Sequence, residues 1–209
     1  MAFSDKQLQI IETAEKLFSS KGYDGTSVRD IADEAGVNIA MISYYFGSKE
    51  KLMEALFEQK SGNIKFKVES LLQDHSLTPL AKVEMLVEDY IARIMEKQQF
   101  FRIMICEQVI NKNPVIISLI KELKKRNSAE ISKLITEGQE KGVFKKNIDV
   151  ILLMNTLTGF VTQMMTSIDY YREYHELEAI PYDQFFEQFK TKLVDHTKFL
   201  FKAILSYEV

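Results

Sequence analysis

Between Ser4 and Lys49 helix-starting and helix-stopping residues follow one another so closely that only short helices fit between them. Ser4-Asp5-Lys6-Gln7 has capping-box spacing, in which the serine and glutamine side chains satisfy free N–H groups at a helix start. Ile10, Ile11, Ala14, Leu17 and Phe18 follow at helical spacing as one apolar stripe, and Gly22 ends it. Ser27-Val28-Arg29-Asp30 is a second capping box. Its short helix runs to about residue 35 and stops at Gly36, because glycine accepts the left-handed conformation at a helix end. Asn38 caps a third helix that reaches Phe46 and stops at Gly47. Ser48 caps a fourth, with Glu50 near the positive end of the helix dipole, and Leu52, Leu56 and Phe57 carry it to about residue 72.

The remainder reads the same way. Eight glycines and three prolines in 209 residues are few, and folds rich in strands need many turns. Thr78-Pro79 opens a helix to about residue 97, another spans 99–109, and Asn113-Pro114 starts a long one ending near Gly142. Asn147 is the expected cap of a helix over 148–171, and a last one covers 183–207. About nine helices and no strand make the chain all-α. The stretch 73–77 reads as a boundary, which divides the chain into 1–50, a connecting helix and linker over 51–75, and a helical bundle over 76–209.

The bulk composition, 46% hydrophobic and 27% charged, is that of an ordinary globular protein. The uncharged run 150–168 has membrane-spanning length, but Asn155, Thr156, Thr158, Thr162, Gln163, Thr166 and Ser167 make it too polar, so no membrane partner is expected. The N-terminus lacks the basic and apolar regions of a signal peptide, and the lone cysteine, Cys106, forms no intramolecular disulfide. Both features fit a cytoplasmic protein.

The segment 26–49, TSVRDIADEAGVNIAMISYYFGSK, places two short helices on either side of Gly36-Val37. That is helix-turn-helix spacing, in which the second helix enters the major groove of DNA. A helical wheel turns Ile42 and Phe46 inward and Ala40 and Tyr44 outward, with Met41 and Ser43 on the flanks and Tyr45 near the inner edge. Lys and Glu are usual on a plain surface, whereas this face is Ala, Met, Ser and Tyr. It suits a groove: small residues allow close approach, methyl-bearing ones meet thymine, and hydroxyls reach phosphates. Lys49 with the amides at Ser48 is one expected phosphate site, and the helix start at Thr26 and Ser27, with Arg29 one turn inside, is another. A helical corner in an unrelated core has the same spacing, and Tyr44 and Tyr45 would then be packing residues.

Residues 10–57 resemble the N-terminal domain of the TetR/AcrR family of transcriptional regulators. The matching features are Ala14, Leu17-Phe18, Gly22-Tyr23, the run Thr26-Ser27-Val28-Arg29-Asp30-Ile31-Ala32, Ala35-Gly36-Val37, Ile42, Tyr45-Phe46, Ser48-Lys49-Glu50 and Leu52. The resemblance implies a homodimer that binds double-stranded operator DNA and is released by an effector held in the C-terminal helices. Carried over by position, its DNA contacts fall on Thr26, Ser27, Arg29, Asn38, Ile39, Ala40, Met41, Tyr44, Tyr45 and Lys49. Family members usually carry tyrosine where this chain has Ser43, so a phosphate contact at Ser43 is weaker and Tyr44 takes more of that role.

Residues 1–50 hold five Lys or Arg against eight Asp or Glu, which works against phosphate binding. Placement offsets this, because Arg29 and Lys49 flank the outward face while Glu12, Glu15, Asp33 and Glu34 can point elsewhere. Catalysis has little support. His75, His175 and His196 show no metal-ligand spacing, Cys106 in its apolar run is expected to be a buried thiol, and no Gly-rich phosphate loop is present. No cofactor, metal or catalytic residue is expected.

By resemblance the effector binds within 79–171, and the methionine-rich helices there suit a small hydrophobic molecule. Tyr90, Met95, Phe101, Met104, Met154, Phe160, Met164 and Met165 are the candidate lining, since methionine adapts to irregular apolar shapes. No charge cluster there suggests an ionic effector. Helices 148–171 and 183–207 are the expected dimer surface, with Phe185, Phe186, Phe189, Leu193, Leu200, Phe201 and Ile204 on the second. A helical binding or scaffold protein without DNA activity, and an activator on the same fold, are the rival readings.

Overall fold

The computed structural model describes residues 3–62, 64–110 and 112–207. Eleven helices run in order among them: α1 Asp5–Lys21, α2 Val28–Glu34, α3 Ile39–Phe46, α4 Lys49–Lys60, α5 Ile64–Gln73, α6 Pro79–Glu96, α7 Gln98–Ile110, α8 Pro114–Glu140, α9 Val150–Thr166, α10 Ile168–Tyr174 and α11 Tyr182–Leu205. The described residues contain no strand, only an isolated bridge between Phe144 and Ser206. None of these helices alone is long and apolar enough to cross a membrane.

Packing groups the chain into two units, Met1–Asn63 with Lys97–Arg126, and Ile64–Glu96 with Asn127–Val209. α7 therefore packs with the N-terminal helices, and α8 contributes residues to both units.

Both predicted capping boxes form, Ser4 with Gln7 on α1 and Ser27 with Asp30 on α2. The α1 stripe Ile10, Ile11, Ala14, Leu17 and Phe18 is buried throughout, against Ile31, Ala32, Ile42, Leu52, Leu56 and, from α7, Phe100 and Ile103. Three polar ties hold this first unit. Gln9 Nε2 donates to the Ala35 carbonyl at 2.9 Å. Glu15, nearly buried, pairs with Lys60 at 2.7 Å. Glu107 of α7 accepts from the Tyr23 N–H at 3.3 Å.

Three expectations about helix ends change. The predicted fourth helix is two, because the chain turns at Ser61-Gly62 and Gly62 takes a φ of +70°. The segment expected over 148–171 breaks at Ser167, whose N–H and hydroxyl both bond the Gln163 carbonyl. Its cap is Asp149, not Asn147: the carboxylate accepts from the N–H groups of Ile151 at 2.8 Å and Leu152 at 3.0 Å. A carboxylate beside a helix start is also favoured by the helix dipole.

In the second unit α6 packs along α11, and Ile64, Val68, Leu71, Leu86 and Leu134 form an apolar cluster. Lys82 is fully buried, yet its ammonium reaches both Glu137 oxygens, at 2.8 and 3.0 Å, and the Leu72 carbonyl at 3.4 Å. One side chain thus ties the end of α5, α6 and α8.

Candidate nucleic-acid interface and interior cavity

Within the first unit α2 and α3 are joined by a turn at Gly36. Ile42 is 1% exposed and anchors α3 in the core, flanked by partly buried Tyr45 and Phe46. Full burial of such a side chain is worth roughly 1.5–3 kcal/mol. The opposite face carries exposed Asn38, Ile39, Ala40, Ser43 and Tyr44, with Met41 half-buried at its edge. Tyr44 is 84% exposed, its ring edge-on to Tyr45 at 5.2 Å. Arg29 is exposed on α2. The wheel and the structure agree on which side of α3 faces out.

The flanking side chains make bonds within the unit. Thr26 is buried, and its hydroxyl donates to the carbonyls of Gly22 at 2.9 Å and Leu17 at 3.3 Å. It holds the chain before α2. Lys49 is half-buried, and its ammonium donates to the carbonyls of Tyr23 at 2.8 Å and Thr26 at 2.9 Å while lying 3.9 Å from the Tyr23 ring centroid. Lys49 therefore clamps the loop before α2 to the start of α4. Ser27 gives its N–H, at 2.7 Å, and its hydroxyl, at 2.6 Å, to Asp30, and these bonds, side chain first, hold the Asp30 carboxyl below its usual range. Arg29 is an exposed cation in the first turn of α2.

The second unit encloses a cavity of about 80 Å³ lined by residues of α5, α6, α8, α9 and α11. Ile64, Val83, Leu86, Val87, Ile131, Leu134, Ile135, Leu153, Leu157 and Phe201 make its walls apolar. Tyr90, Arg93, Asn127, Met154 and Thr158 complete it. Tyr90 donates to Thr158 Oγ1 at 3.1 Å, and burial pushes its hydroxyl above the usual range. Arg93 pairs with Asp89 at 2.8 Å. Asn127 Oδ1 is buried with no hydrogen-bond partner, a state that normally costs free energy.

Of the candidate lining, Tyr90 and Met154 meet at this cavity. Phe160 and Met164 line a separate cleft of about 340 Å³ with Tyr171, Phe189, Lys192, Leu193 and His196. Met95 and Met165 line neither. Phe101 and Met104 lie on α7 and pack against the core of the first unit, because α7 belongs there. Of charged side chains, Arg93 lines the cavity, paired with the partly exposed Asp89. Sequence reading missed Arg93 and Asn127, although both occupy stripe positions: 83, 86, 87, 90 and 93 share one face of α6, and 127, 131, 134 and 135 one face of α8.

Cys106 is exposed, not buried as expected. Among the described residues no group of three or more His, Cys, Asp or Glu side chains is placed to hold a metal ion.

An all-helical chain that presents the second helix of a helix-turn-helix to solvent, with a separate helical unit, belongs to the class of helix-turn-helix transcriptional regulators. The model for bacterial regulatory proteins of the tetR family matches residues 10–56, and that for the tetracyclin repressor-like C-terminal domain matches residues 79–172. The chain belongs to the TetR family of transcriptional regulators. The probable HTH-type transcriptional regulator YttP of Bacillus subtilis is 57% identical over 51 residues, 24% of this chain and 25% of that protein. That match covers a quarter of the relative's length. The fatty acid metabolism regulator protein of Bacillus subtilis is 25% identical over 162 residues, covering 78% of this chain and 82% of that protein. The solved structure of the fatty acid degradation regulator FadR from Bacillus halodurans shares the fold, with a TM-score of 0.74 at 24% identity over 97% of each chain.

Proposed function

We propose that this regulator is a cytoplasmic repressor that binds a palindromic DNA operator as a homodimer and releases it when a small hydrophobic effector enters the second unit. The exposed, uncharged face of α3, led by Tyr44, is the observation that carries the reading. A surface without Lys or Glu is unusual on a helix bathed in water and suits one that docks in a groove. Ile39, Ala40, Ser43 and Tyr44 meet the DNA, with Arg29 on a backbone phosphate. Lys49 and Thr26 shape the unit from within.

Dimerisation rests on α9 and α11. Phe185, Phe189, Leu193 and Phe201 are buried inside their own unit and do not form the contact surface. Ile151 and Leu152 are exposed instead on α9, beside the uncharged Asn155, Thr156 and Gly159, and Phe199 and Ile204 are exposed on α11. Large apolar groups left in water favour a second copy.

The cavity suits the effector because its walls are apolar and its polar groups are few and convergent. It is smaller than the ~150 Å³ space that accommodates benzene, so a larger effector enters only as side chains move apart. An extended acyl chain does not fit the cavity as it stands.

Selection of bound sequences from random duplex DNA with the full chain tests the proposal. Two inverted half-sites, one helical turn of ~34–36 Å or a multiple apart, are expected. Recovery of no common sequence would sink the DNA reading in favour of a binding or scaffold role.

A further inference from the structure

We propose that α3 recognises its operator through thymine methyl groups, so that the base pairs beneath it are A·T. The proposal rests on the DNA-binding reading above and names the bases it reads.

A helix in the major groove identifies guanine with Arg or Lys on O6 and N7, adenine with Asn or Gln bonded both ways to N6 and N7, and thymine by apolar contact with its methyl group. The first two means are missing from α3. Its eight residues, Ile39–Phe46, include no charged side chain and no amide. Lys49, three residues beyond its end, spends its ammonium on the carbonyls of Tyr23 and Thr26. Asn38 precedes the helix, but its Oδ1 accepts from the Ala40 N–H at 2.8 Å as the cap. Asn38 is held as the cap, and its second oxygen lone pair and its NH2 suit adenine, which again means an A·T pair.

The third means is present. Ile39 is 45% exposed and stands in the first turn of α3, where recognition helices meet base edges. Ala40 is exposed beside it. The thymine methyl is the one apolar group a base pair shows in this groove. Cytosine and guanine offer no such group to the same side chains. Ile39 and Ala40 thus favour A·T by packing on the methyl. Ser43 and Tyr44 add hydroxyls on the same face, which serve phosphates or accept either base pair.

The test uses the full chain and the operator recovered by selection. Each thymine is replaced singly by deoxyuridine, which lacks only the methyl, and affinity is read by fluorescence anisotropy. The expected result is a loss of about fourfold at one or two positions per half-site, the worth of one buried methyl-sized group. Ile39→Ala, at an exposed helix position where alanine is well tolerated, should bind less tightly and lose its sensitivity to one of those replacements. G·C pairs under α3, or uracil tolerated at every position, would overturn the proposal while leaving DNA binding intact. If selection recovers no sequence at all, the DNA-binding reading fails first and takes this proposal with it.

Discussion

Lys49 shows how one side chain changes meaning once its neighbours are known. In the sequence it stands beside a helix start, where a lysine suits a phosphate. In the folded chain its ammonium holds the carbonyls of Tyr23 and Thr26 and lies over the Tyr23 ring. Lys49→Ala should therefore act mainly on stability. Two carbonyls lose charged donors, at roughly 1.5–3 kcal/mol for a bond to a charged group. The loss should appear as a lower melting temperature, while the slope of log affinity against log salt changes by well under one. A drop of one in that slope with an unchanged melting temperature would put Lys49 on a phosphate instead. The outward face of α3 could be read in advance because it depends only on helical period and on which residues are apolar. The role of Lys49 could not, because its partners lie 23 and 26 residues earlier in the chain and are backbone atoms.

At the scale of elements, the short N-terminal helices were legible because their ends are local chemistry: Ser27 with Asp30, Asn38 with Ala40, glycine after each stop. The break between α4 and α5 was signalled by Gly62 but masked by apolar residues on both sides. The cavity was least legible, since its walls come from five helices separated by long stretches of chain. α8 carries two predictions. Gly138 lies against the buried Phe144 ring, and a Cβ there would stand 2.0 Å from a ring carbon. Gly138→Ala should destabilise the protein by about 1–3 kcal/mol in urea titration, because the ring has nowhere to go. The neighbouring Glu137 is pulled two ways. Burial opposes its charge, but hydrogen bonds from Lys141 and Lys82 prevail and hold its carboxyl below the usual range. A carboxyl lowered on folding contributes stability that is present above its unfolded value and is lost as pH falls through the folded one. Glu137→Gln should flatten the acid side of the stability curve. At neutral pH it should cost about 3 kcal/mol, because Lys82 is left buried with its charge unanswered. Adding Lys82→Met should restore most of that loss; failure to restore it would mean that the ion pair is not what Glu137 contributes.

For the whole molecule, the account predicts a dimer held through α9 and α11. Sedimentation at micromolar concentration should give twice the chain mass of 24.3 kDa. Leu152→Glu, which places a charge on an exposed apolar site, should give a monomer with unchanged helix content. A wild-type monomer would remove the basis for a palindromic operator. Effector and operator must also answer to each other. If a compound in the cavity weakens DNA binding by some factor, DNA weakens the compound's binding by the same factor, typically about 5–150-fold. α8 carries Ile116 and Ile120 in the first unit's core and Asn127, Ile131, Leu134 and Ile135 on the cavity wall.

The central claim is that the exposed face of α3 reads DNA, and Tyr44 gives its most direct test. The affinity of the full chain for its selected operator should be measured beside that of Tyr44→Ala, with thermal melts of both. At 84% exposure Tyr44 supports no core, so the melts should coincide. The account predicts binding at least about tenfold weaker for the variant, a loss of roughly 1.4 kcal/mol. Equal affinity of the two proteins for the operator would contradict it.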